Sequence, residues 1–148
     1  MSDPSRTRVA PKRELIMRRI IAFLIVFTLL SFKSALSQSG RSVWDGVYTE
    51  GQAARGQTVF TAFCASCHSA AEFNGDTFLG AWDASTALDL FSTIQTKMPM
   101  DNPGSLKPEE YVDVMAFFFR GNAFPAGKDE LTTDREQLKL VRIERKKS

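Results

Sequence analysis

Residues 64–68 read Cys-Ala-Ser-Cys-His, and these five positions hold both cysteines and the single histidine of a 148-residue chain. They end a stretch, EGQAARGQTVFTAFCASCH (residues 50–68), with helical character. Gln52, Ala53 and Ala54 start it, and Val59, Phe60 and Phe63 supply apolar contacts at helical spacing. On a helix, positions three and four apart share a face. Cys64 and Cys67 therefore offer two sulfurs along one edge, with the His68 imidazole beside them. Gly56 sits inside the same helix, four residues before Phe60. Glycine there costs about 1 kcal/mol relative to alanine, and a close helix crossing is one reason to accept that cost.

Four chemistries compete for such a cluster. A closed zinc site wants four ligands, and two cysteines with one histidine cannot complete it without carboxylates. A thiol–disulfide redox pair also uses Cys-x-x-Cys, but it usually follows a strand in a strand–helix–strand unit, which this sequence does not suggest. A structural disulfide across three residues closes a tiny loop and stabilises little. Covalent haem attachment uses all three side chains. Two thioether bonds fix the two vinyl positions, and the histidine reaches the iron from the same side. Cys-x-x-Cys-His is the sequence signature of that chemistry. One haem c, held by Cys64 and Cys67 with His68 on the iron, is therefore the expected cofactor.

The iron then needs a sixth ligand, and no second histidine exists in the chain. Methionine is the other usual choice, a soft thioether that favours ferrous iron and raises the potential. Met1 and Met17 fall in the amino-terminal leader treated below, and Met115 sits among phenylalanines in a helix, as a core residue does. Met98 and Met100 remain, in KMPMDNPG (residues 97–104), where prolines can hold the backbone rigid. The residues alone leave both open.

Outward from these motifs the chain reads as one small domain with a leader and a tail. SAAEFNGDTFLGAW (residues 69–82) is expected as loop, with Asn74–Gly75 and Gly80 as turn signals. DASTALDLFSTIQTK (residues 83–97) reads as a second helix, capped by Asp83 or Ser85, with Leu88, Leu90, Phe91 and Ile94 on its apolar side. KPEEYVDVMAFFFRGN (residues 107–122) reads as a third, with Pro108 in its first turn, Glu109 and Glu110 at its positive end and Gly121–Asn122 as its stop. Residues 38–50 are expected as an amino-terminal arm, 51–127 as the folded domain and 128–148 as a charged, extended or loosely packed tail, with a possible short strand at LKLVRI (residues 138–143). No internal repeat is evident.

Residues 20–32, IIAFLIVFTLLSF, are apolar, follow Arg18–Arg19 and lead into SALSQS (residues 34–39). A basic flank, a short apolar core and small residues at the exit describe a secretory signal peptide over residues 1–37, with cleavage before Gln38. The compact leader begins at Met17, the expected translation start. The run falls short of the ~20 apolar residues that span a bilayer, so cleavage is favoured over a retained membrane anchor. Residues 1–37 carry seven basic and two acidic residues, a surplus of five, so a chain of net charge +2 becomes −3 on cleavage. Neither sign nor patterning suggests nucleic-acid binding.

With these residues together, the chain resembles the class I c-type cytochromes. It looks closest to small periplasmic members with VWDGVYTEGQAARGQTVF (residues 43–60) ahead of the haem motif and MPMDNPGSLKPEEYVDVMAFFFRGNAFPAG (residues 98–127) behind it. Such proteins often accompany quinoprotein dehydrogenases. The resemblance spans roughly residues 43–127 and implies particular roles. The methionine directly before proline, here Met98, is the iron ligand. Gly56 and Phe60 form the glycine–aromatic pair of the first helix, Phe117 is the aromatic of the last helix that crosses it, and Trp82 is a tryptophan that packs near the propionates or in the core. Two departures stand out. Ser69 replaces the glycine that often follows the haem histidine. GDTFLG (residues 75–80) lacks the proline whose carbonyl faces that histidine's ring nitrogen, which leaves a carbonyl near Thr77 as the candidate.

The expectation is an all-α fold, three main helices round one covalently bound haem, serving one-electron transfer in the periplasm. The redox partners expected are proteins, a dehydrogenase as donor and an oxidase or another cytochrome as acceptor. No titratable pair suggests acid–base catalysis, so a carrier is favoured over an enzyme. The rivals are a haem subunit fixed in a dehydrogenase complex and a haem sensor or peroxidase whose methionine leaves.

Overall fold

The computed structural model describes residues 16–17 and 40–146. The chain divides into two units, residues 1–38 and 39–148. Of the first, only Ile16 and Met17 are described, in helical conformation. The rest of the expected signal peptide, including the apolar run 20–32 and the cleavage site, lies outside the described residues. Among the described residues no helix is long and apolar enough to cross a membrane.

The second unit contains helices α1 (Glu50–Phe63), α2 (Gly75–Trp82), α3 (Ala87–Lys97), α4 (Pro108–Gly121) and α5 (Arg135–Leu140). A two-residue parallel pair, β1 (Arg41–Ser42) and β2 (Val141–Arg142), joins its two ends. The three helices read from the sequence are α1, α3 and α4. Each starts where local hydrogen bonding satisfies free backbone N–H groups. Thr49 Oγ1 accepts the Gln52 N–H at 3.1 Å to open α1. Pro108 occupies the first turn of α4, and Glu110 reaches back to accept the Lys107 N–H at 2.7 Å. The cap of α3 is Thr86 rather than Asp83 or Ser85. Thr86 Oγ1 accepts the Asp89 N–H at 3.2 Å, and Asp89 accepts the Thr86 N–H at 2.8 Å. That reciprocal arrangement needs an acid three residues after the cap, and of the three candidates only Thr86 has one.

Helices α1 and α4 cross closely. A Cβ added at Gly56 would collide with the Asp113 carbonyl of α4, so the glycine is the point of contact. Phe60, one turn on, meets Phe117 at 5.3 Å and the buried Phe118 at 5.9 Å between ring centroids. The expected Gly56–Phe60–Phe117 crossing is present, and Phe118 shares it.

Two expectations are corrected. Residues 69–82 are not a loop: Ala70–Phe73 form a 3-10 turn and Gly75–Trp82 form α2. Asn74–Gly75 is indeed a turn, with Gly75 at φ +61°, but it feeds a helix whose Phe78 is buried. Eight residues with a glycine inside are too few to display a clear helical period. The arm and the tail are not loose either. Val43, Val47 and Tyr48 from the arm, and Leu131, Leu138, Val141 and Ile143 from the tail, all belong to the core. The Trp44 indole N–H donates to the Glu144 carbonyl at 2.9 Å, the Tyr48 hydroxyl to the Phe124 carbonyl at 2.7 Å, and the Gly127 N–H to the Tyr48 carbonyl at 2.7 Å. The strand expected within residues 138–143 is there, but only as two residues following α5.

Candidate functional site

Helix α1 ends at Phe63, one residue before the first cysteine. The Ala65 N–H takes the Phe60 carbonyl at 2.9 Å, one residue beyond helical spacing, and this opens the helix into a turn. The Cys67 and His68 N–H groups then both donate to the Cys64 carbonyl, at 3.1 and 2.9 Å. The motif therefore lies in a turn that keeps helix-like bonding, not in the helix itself. Both thiols are free. Cys64 is half-buried, and burial pushes its thiol pKa up, whereas Cys67 is exposed. Among the described residues no three His, Cys, Asp or Glu side chains converge as ligands of a bare ion would. Cys64, Cys67 and His68 are strung along one turn, the arrangement of donors that suits attachment along the edge of a large group.

His68 is held from two directions. The Phe73 ring meets it edge-on at 5.4 Å, and Phe73 in turn stacks on Phe118 of α4 at 4.3 Å with 8° between planes. Its Nδ1 lies 3.2 Å from Glu72 Oε2. Glu72 Oε1 accepts the Ser69 N–H at 2.8 Å, and Ser69 Oγ accepts the Ala71 N–H at 3.3 Å. The Ser69 N–H, then the His68 ring, hold the Glu72 carboxyl below the usual carboxylate range. Thr77, near the carbonyl expected to face the histidine, lies within α2. The polar group that the structure places at His68 Nδ1 is Glu72, in the 3-10 turn that stands where a loop is expected. Its available signal was Ser69-x-x-Glu72, the spacing of a capping box.

Met98 caps the carboxyl end of α3. Its N–H donates to the Ile94 carbonyl at 2.8 Å, and its own carbonyl accepts the Tyr111 hydroxyl at 2.8 Å. Met98 is half-buried, Met100 is 77% exposed and Met115 is buried in α4. Trp82 is half-buried at the end of α2, packed against the core. Helix α4 thus supports both candidate ligands. Tyr111 anchors the Met98 backbone, and Phe118 backs the Phe73 ring that meets His68. Positions 111 and 118 are two turns apart on one face, about 10 Å along the axis.

Residues 51–118 match the family model described as Cytochrome C oxidase, cbb3-type, subunit III. The fold is that of a c-type cytochrome domain. The match runs from the start of α1 into α4 and contains Cys64, Cys67, His68 and Met98. A cytochrome domain implies haem c and electron transfer, and the Cys64–Cys67–His68 turn is consistent with it. No curated protein and no solved structure matches the chain.

Proposed function

We propose that the protein is a periplasmic one-electron carrier with a single haem c, attached through Cys64 and Cys67 and ligated by His68 and Met98. Haem c, when bound, supplies an iron that accepts and releases one electron. The chain's own residues do the rest. Cys64 and Cys67 sit in one hydrogen-bonded turn, so two covalent bonds can fix the orientation of the group. Phe73 and Glu72 set the plane of the His68 ring. Two hydrogen bonds pin the Met98 backbone, whereas Met100 projects to solvent, which supports Met98 as the sulfur donor. Ligands held this firmly would move little between oxidation states. The observation that carries the reading is the common support of the His68 and Met98 segments by α4.

The test is expression of the full chain in a host competent for cytochrome c maturation. The expected product is the polypeptide plus one haem by mass, with a reversible one-electron transition in the visible spectrum. Met98→Ala is expected to lose the spectral signature of methionine ligation and to bind carbon monoxide rapidly when reduced, and Met100→Ala to do neither. Bare thiols at Cys64 and Cys67 would refute the proposal. Rapid, full carbon monoxide binding by the wild-type protein would favour a sensor or peroxidase instead.

A second reading keeps the electron transfer and makes the chain a fixed subunit of a dehydrogenase or oxidase complex. The oxidase-subunit description of the matching family favours it. Co-purification of the exported protein with a stoichiometric partner at native expression would distinguish a subunit from a mobile carrier serving a quinoprotein-type dehydrogenase.

A further inference from the structure

The Glu72 carboxylate has two oxygens with two separate tasks. Oε1 accepts the Ser69 N–H and closes the 3-10 turn, while Oε2 faces His68 Nδ1. The first task needs no negative charge, since a neutral side chain with a carbonyl caps a turn equally well. The second places an anion directly behind the ring. With the other ring nitrogen committed to a metal, the remaining proton of a neutral imidazole must sit on Nδ1, and Nδ1–H then donates to Glu72. A charge-assisted bond of this kind is stronger than one to a backbone carbonyl and shifts electron density onto the ligating nitrogen. We propose that Glu72 is a positioning residue for His68, accepting its Nδ1–H, fixing the plane of the ring and biasing the bound iron toward the ferric state.

The inference rests on the reading of His68 as an iron ligand, and it departs from a backbone carbonyl as the histidine's partner. Two features of the structure strengthen it. Glu72 lies in the same short turn as Phe73, whose ring touches His68 and stacks on Phe118, so carboxylate and ring wall are delivered together by one element. Ser69 adds a side-chain hydrogen bond from the Ala71 N–H, while its backbone N–H, which any non-proline residue supplies, holds Glu72 in place. The Glu72 side chain is 54% exposed, so water screens the charge and keeps its influence moderate.

The experiment is a redox titration of the haem-loaded full chain, comparing wild type with Glu72→Gln and Ser69→Ala. Glu72→Gln keeps one carbonyl oxygen to cap the Ser69 N–H, while its NH2 group cannot accept from the ring, so the anion and the acceptor at Nδ1 are removed together. It is expected to raise the ratio of reduced to oxidised protein at a fixed potential by roughly threefold or more, with thermal stability unchanged. Ser69→Ala, which removes a cap but leaves the carboxylate, is expected to leave the potential where it was. An unchanged potential in Glu72→Gln, or an equal shift in Ser69→Ala, overturns the proposal. Should Glu72→Gln fail to mature, proton NMR of the reduced wild type decides. The expected result is a slowly exchanging His68 Nδ1–H with cross-peaks to the Glu72 side chain, and cross-peaks to another acceptor instead would overturn it. Wild-type protein that takes up no haem overturns the proposed function and this inference together, an outcome distinct from haem-loaded protein with an insensitive potential.

Discussion

A missing methyl group sets how closely α1 approaches α4. At Gly56 an added Cβ would meet the Asp113 backbone, which cannot swing aside as a side chain could. Gly56→Ala would gain about 1 kcal/mol of helix propensity and lose more to overpacking, typically 1–3 kcal/mol and here backbone against backbone, so ~2 kcal/mol or more. A lower Tm for the haem-loaded variant would bear this out, and an equal or higher Tm would mean that the helices can part at no cost. This contact was readable in advance because glycine inside a helix demands a reason. Glu72 was not. Its role depends on a 3-10 turn that brings residues 68, 69 and 72 together, and four residues of Ala-Ala-Glu-Phe carry no periodicity to announce it. Met98 against Met100 was likewise undecidable from the residues, since what separates them is a hydroxyl from α4 and exposure to solvent.

Elements were legible in proportion to their length and their caps. Helices α1, α3 and α4 each run eleven residues or more with apolar residues at helical spacing, and all three were found. Helix α3 also shows why boundaries slip: three cap-competent residues, Asp83, Ser85 and Thr86, precede it, and the pairing with Asp89 selects Thr86. Thr86→Ala is expected to cost ~1 kcal/mol, readable as a Tm decrease, while Ser85→Ala leaves stability near wild type. The reverse order would contradict the capping assignment. Helix α5 escaped notice because charged residues separate its apolar ones, so the average composition resembles a solvated tail, although the short strand beside it was expected. Yet Leu138 and Ile143 are fully buried. Leu138→Ala is therefore expected to destabilise by about 2–5 kcal/mol, as a buried leucine does and a tail residue does not. Chemical denaturation of the haem-loaded variant measures it, and a change under ~0.5 kcal/mol would show that the tail is dispensable.

At the scale of the folded unit, one guanidinium ties three segments together. Arg55 of α1 donates to both oxygens of the largely buried Asp113 on α4, at 2.9 and 3.1 Å. It also donates to both oxygens of Glu130 in the segment before α5, at 3.0 and 2.8 Å. Nearby, the Gln52 side chain exchanges two hydrogen bonds with the Leu131 backbone, so the helix crossing and the carboxyl-terminal segment are locked at one place. No local sequence pattern reports such a junction, because its members lie far apart in the chain and only the fold brings them together. Its pH dependence has a definite sign. Hydrogen bonds from Arg55 hold the Glu130 carboxyl below its ordinary value, and the Thr86 N–H does the same for Asp89. A carboxyl whose folded pKa lies below its unfolded one stabilises the fold above the unfolded value, about 4 for these groups, and that contribution disappears as pH falls through the folded pKa. Both side chains are exposed, so solvent screening keeps each contribution small. The haem-loaded protein should therefore lose stability as pH is lowered from the ordinary carboxylate range. Glu130→Gln, which keeps an oxygen facing Arg55 but cannot titrate, should show a shallower loss over that window. Thermal melts of the two proteins from pH 6 downward make the comparison directly. Parallel curves would mean that Glu130 contributes nothing to the acid sensitivity, and the junction at Arg55 would then rest on Asp113 alone.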